Sequence, residues 1–209
     1  MRPGSPRTPL SRRVELPLRW LWSFAFSRVI TATLLLVNMP AANPAAPPSK
    51  PSEYDVKAAY LLNFGRFVRF SSASRARSSF DICTLGHDAM DSSLDALGTN
   101  TRIQNLPVHV THLADISGAR SCAIVFISAT ESDRVREDLA ILGDADVLTV
   151  SDAPDFLQRG GMIQFLMLSN HIRFAVNLEA VSRSHIVLSS ELLRVASSVS
   201  GKPPTGELP

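Results

Sequence analysis

Past an N-terminal stretch of about fifty residues, the chain alternates between two hydrophobic periods. Between Glu53 and Phe70, Tyr54, Ala58, Leu61, Leu62 and Phe64–Phe67 recur at the i, i+3, i+4 spacing of an amphipathic helix. Asn63 and Gly65 interrupt that pattern. A glycine inside a helix costs about 1 kcal/mol against alanine, so it calls for a packing reason. Phe80–Leu85 reads as a strand closed by Gly86, and His87–Leu97 as a helix stopped at Gly98. Leu106–Leu113 alternates like a strand, and Cys122–Ile127 is a continuous apolar run suited to a strand buried on both faces. Glu131–Leu142 is a helix with an acidic first turn, and Val147–Val150 is a further buried strand. Pro154 opens a short helix to Gln158, and Gly160-Gly161 breaks the chain. Met162–Leu168 and Ile172–Val176 flank Ser169-Asn170-His171 as a β-hairpin. Asn177–Ser184 is a short helix, Ile186–Leu188 is extended, and Ser189 or Ser190 caps a last helix. Strands alternating with helices predict an α/β fold: a largely parallel sheet flanked by helices on both faces, with a C-terminal β-hairpin.

The N-terminal stretch has a different character. Residues 1–42 hold six arginines and one acid, and an apolar run from Val29 to Val37 precedes small residues at Ala41, Ala42, Ala45 and Ala46. That is the layout of a secretory signal peptide. The run is too short to span a bilayer, which takes about 20 apolar residues. Counted from Trp20 it becomes an 18-residue stretch broken by Ser23, Ser27 and Arg28, so a retained anchor is the alternative. A misassigned start codon ahead of an ordinary signal would leave the export reading unchanged. Residues 43–52 form a Pro-rich linker, residues 53–200 a single domain, and residues 201–209 a disordered tail. The chain beyond the leader carries 15 basic and 18 acidic residues, which offers no basic face for nucleic acid.

Export changes the meaning of the two cysteines. Cys83 lies in one predicted strand and Cys122 opens another; an even count outside the cytoplasm favours a disulfide, with two buried thiols as the alternative. No G-x-G-x-x-G follows Gly86, and no G-x-S-x-G is present, so neither a dinucleotide fingerprint nor a nucleophile elbow supports an enzyme. His109 and His112 point to opposite faces of a strand and cannot share a metal there, so no metal and no cofactor is expected. Gly160-Gly161 before Met162 is a tight turn that also allows close backbone approach. Together with Asp152 it could line a crevice at the strand ends, the basis for an alternative role as a periplasmic small-ligand-binding or sensor module.

Several segments together resemble the YfiR-like family, small exported regulators of cyclic di-GMP signalling. They are Val56–Phe64 with Phe67-Val68, Ile82-Cys83 with Leu85-Gly86, Cys122 with Ile124 and Phe126-Ile127, and Val147–Asp152. Gly160–Ile163, Ile172–Phe174, Val176-Asn177 and Ser189–Leu193 with Val195-Ala196 complete the set. The resemblance implies a non-enzymatic periplasmic repressor that binds an inner-membrane diguanylate cyclase, or another membrane sensor, and lowers cyclic di-GMP and biofilm formation. It also implies a homodimer and a Cys83–Cys122 disulfide. Asn63, Gly86, Asp152, Gly160, Gly161, Met162 and Asn177 are then family-signature positions and a candidate partner or ligand surface. Two departures stand out. The second cysteine pair of some members is absent, and Phe70 is followed by Ser71-Ser72 where the family has an aromatic–proline pair.

Overall fold

The computed structural model describes residues 50–70 and 77–201. The expected leader, most of the linker and the tail beyond Gly201 lie outside the described residues. The domain starts at a capping box. Ser52 accepts from the backbone N–H of Asp55 at 3.1 Å, and Asp55 accepts from the backbone N–H of Ser52 at 2.9 Å. Asp55 also accepts from Ser93 Oγ at 2.8 Å, which ties α1 (Glu53–Phe67) to α2 (Met90–Gly98).

The first helix is shorter than its apolar pattern predicts. It stops at Phe67, where the chain turns extended as β1 (Val68–Arg69) and pairs with β9 (Val187–Leu188). Gly65 has a packing reason: a Cβ there would sit 2.7 Å from Phe80 Cζ and 3.1 Å from Ile103 Cδ1. Its carbonyl accepts from Gln104 Nε2 at 2.8 Å.

The main sheet comprises β2 (Phe80–Leu85), β3 (Arg102–Ile103), β4 (Leu106–Leu113), β5 (Ile124–Ile127), β6 (Leu148–Ser151), β7 (Ile163–Leu168), β8 (His171–Asn177) and β10 (Ser198–Ser200). They lie in the order β10-β8-β7-β6-β5-β2-β4-β3. All neighbours run parallel except β3–β4 and β7–β8. The β7–β8 hairpin turns on Ser169 and Asn170, both at positive φ (48° and 60°), as a two-residue hairpin loop requires. It is not the end of the sheet, because β10 adds beyond it in parallel with β8. The predicted helix from Pro154 to Gln158 is instead a series of turns, with Asp155 at φ +56°. A left-handed residue right after the proline breaks the helix that proline would otherwise start.

The apolar residues of β5 are divided between two clusters. Ile124 and Phe126 belong to one that includes residues of α1, α2, α4 (Leu178–Arg183) and α5 (Ser190–Val195). Val125 and Ile127 belong to another with Val135 and Leu142 of α3 (Val135–Leu142), Phe156 and both cysteines. In the first, Tyr60 and Phe64 of α1 pack on Phe165 and Phe174 of the hairpin with ring centroids 5.0–6.0 Å apart.

Candidate functional site

The chain leaves β2 toward β4 on one side and returns to β5 on the other. The carboxyl ends of β2 and β5 therefore form a topological switch point, where open α/β sheets commonly hold ligands. Here that point is filled by the chain's own side chains. Lys57 reaches from α1 and places Nζ 2.7 Å from Asp152 Oδ2 and 2.7 Å from Glu53 Oε1. Asp152, just past β6, also accepts from the backbone N–H of Ala129 at 2.8 Å. Burial pulls the Lys57 ammonium pKa down, but its hydrogen bonds to Asp152 and Glu53 outweigh that and raise it above the ordinary lysine value. Beside this group, Ser128 Oγ donates to Asp88 Oδ2 at 3.0 Å. Gly86, at φ +87°, leaves room that Thr130 and Glu131 occupy, since a Cβ there would lie 2.6 Å from Thr130 Oγ1.

A second group of predicted residues gathers beyond β6. Gly160 has φ +104°, a conformation that only glycine adopts at low cost. Gly161 has no room for a side chain: a Cβ would fall inside the van der Waals surface of the buried Phe156 ring. Met162 donates its N–H to Thr149 Oγ1 at 3.1 Å and accepts from the Asn177 N–H at 2.9 Å. The Asn177 side chain caps α4, accepting from Glu179 and Ala180 N–H at 3.0 and 3.1 Å, and donates to the Leu157 carbonyl at 3.0 Å. Gly160, Gly161, Met162 and Asn177 are thus one structural corner. Asp152 and Gly86 belong to the switch point. Asn63 joins neither, being exposed on α1.

Cys83 of β2 and Cys122, two residues before β5, are joined by a disulfide with Cα atoms 6.1 Å apart. Both are buried. The two histidines with H-x-x-H spacing part company: His109 is 65% exposed, whereas His112 Nδ1 lies 2.8 Å from Thr84 Oγ1 and Nε2 lies 3.2 Å from Asp95.

Sequence reasoning passed over three features. One is the Lys57–Asp152 pair, 95 residues apart, whose only local sign is a lysine one position from the buried Ala58 in an otherwise apolar stripe. The second is Asp138, buried between Val135 and Leu142 on the inner stripe of α3, with Oδ2 lacking a hydrogen-bond partner among the described residues. Burial raises its carboxyl pKa, and Glu131 and Glu137 add to that while Arg134 opposes it. The third is a set of arginines around Gly160, drawn from three separate segments.

Among the described residues, no helix is long and apolar enough to cross a membrane. No curated protein matches the chain. A solved structure that resembles it is that of a conserved domain protein from Vibrio cholerae O1 biovar El Tor str. N16961, with TM-score 0.52 and 8% identity. The likeness covers 73% of this chain and 62% of that one, less than two thirds of its length, and it concerns the fold alone. Residues 54–197, from the first turn of α1 to the residue before β10, match the YfiR/HmsC-like family model, and the chain belongs to that family.

Proposed function

We propose that this protein is an exported, non-enzymatic regulator that binds the periplasmic part of an inner-membrane diguanylate cyclase and holds it inactive. Cyclic di-GMP and biofilm formation fall as a result. The observation that carries this reading is family membership across nearly the whole described domain. The buried Cys83–Cys122 bridge supports it, because such a bond suits an oxidising compartment. A binding partner represses only by favouring one state of its target. Driving an equilibrium from 99:1 on to 99:1 off takes a differential affinity of about 5.5 kcal/mol. Asn63, exposed on α1 beside the exposed Phe67, is the proposed contact on this side, and the repressor acts as a homodimer.

The test is reconstitution. Membrane proteins of the native host that co-purify with the exported protein are identified, and the cyclase among them is placed in proteoliposomes with its periplasmic part outward. Adding the protein should suppress conversion of GTP supplied inside. Unchanged turnover at saturating protein, with binding verified, would reject repression.

A further inference from the structure

Although the chain beyond residue 42 carries more acidic than basic residues, three arginines meet around one opening. A cleft of about 410 Å³ lies against α3 at the amino ends of β6 and β7, away from the filled switch point. Among the described residues, Arg136 of α3, Arg159 of the loop and Arg183 of α4 line it, with Asp144 as the one carboxylate in the lining. Leu139 and Met162 contribute apolar wall. The volume lies within the range of small-molecule sites.

Gly160 lines the opening. Its positive φ excludes other residues, and Arg183 Nη2 lies 3.8 Å from where a Cβ would stand, so the guanidinium rests over bare backbone. Among the described residues Arg183 pairs with Glu179 one turn away, at 3.5 Å, and both are exposed. Such a pair exchanges readily for a better acceptor. Arg159, which lines the cleft, donates through Nη1 to the Ser132 carbonyl just before α3, which uses one of its five donors. Arginine forks match planar or tetrahedral oxyanions, and an apolar wall takes the hydrocarbon attached to them.

We propose that this cleft binds a small molecule with an apolar body and one anionic group, a carboxylate or a phosphate. The site adds ligand sensing to the regulator and stands whether or not the partner is a cyclase.

Phenylacetate, phenyl phosphate and neutral benzyl alcohol are titrated into the 15N-labelled full chain and followed by amide NMR. The anions should shift Gly143, Gly160, Gly161 and Met162, and benzyl alcohol should not. Whichever anion binds tighter identifies the preferred head group. Arg136→Gln/Arg183→Gln, at two exposed positions, should melt like the parent and weaken anion binding about tenfold or more. Added salt should weaken it in the parent and much less in the variant. Equal shifts with benzyl alcohol, unchanged affinity in the double variant, or no shift with either anion at about 10 mM would overturn the assignment.

Discussion

Reducing the Cys83–Cys122 bond removes the cross-link between β2 and the chain entering β5. The two cysteines are 39 residues apart, and restricting a loop of that length in the unfolded chain contributes about 4 kcal/mol at 25 °C. For a domain of this size each kcal/mol moves the melting temperature by roughly 2–4 °C, so the expected loss is about 8–16 °C. Both cysteines are almost fully buried, at 2% and 1% exposure. Reductant should therefore act slowly on the native protein and quickly once urea opens it. Burial also separates two contributions. The reduced parent keeps both sulfurs in the core and loses only the cross-link, whereas Cys83→Ala/Cys122→Ala loses packing as well, by about 1 kcal/mol per site. Calorimetric melts should rank the oxidised parent above the reduced parent, and the reduced parent above the double variant. If the reduced parent, with two free thiols verified by titration, melts within about 2 °C of the oxidised form, the loop argument is wrong.

Gly161→Ala forces a methyl into the Phe156 ring and should cost about 1–3 kcal/mol by urea unfolding. Adding Phe156→Leu should recover part of that loss, and simple additivity would refute the clash. Lys57→Met leaves the carboxylate of Asp152 without its ammonium partner and should destabilise by about 3 kcal/mol. The cost should shrink when Asp152→Asn is combined with it, and a larger cost for the pair would refute the coupling. Asp138→Leu should stabilise by about 1 kcal/mol at neutral pH, since it removes a buried oxygen without a partner. Because burial raises the folded pKa of Asp138 above the ordinary 3.8, the penalty is complete above the raised value and absent below the ordinary one. The gain should therefore fade as the pH drops toward 4, and an equal gain at pH 4 and pH 7 would refute it.

The legible parts of this fold are those with a local cause. The unbroken apolar run ending at Ile127 gave a central strand, and its side chains are divided between two apolar clusters. Two apolar runs flanking Ser169-Asn170-His171 marked the hairpin, whose turn is made by Ser169 and Asn170 at positive φ while His171 already belongs to β8. Gly65 advertised a close contact, and Phe80 supplies it. The strands that escaped notice, β1, β3 and β10, are two or three residues long, too short for any periodicity to register, whereas β9 falls within the extended piece expected at Ile186–Leu188. The early end of α1 is equally hard to read locally, since Val68 and Arg69 leave the helix where they pair with β9. Of the candidate positions, Gly160, Gly161, Met162 and Asn177 proved to be neighbours. Asp152 faces Lys57, a pairing across 95 residues that no local pattern encodes. The arginine cleft depends likewise on three segments meeting, and none is distinctive by itself.

Repression of a membrane cyclase is read out by cellular cyclic di-GMP. The gene is deleted in the native host and then restored, either intact or without residues 1–42. Cyclic di-GMP should rise on deletion and be brought back down by the exported protein and not by the leaderless one. An unchanged level on deletion, under conditions where the protein is shown to be present in the parent, would contradict repression.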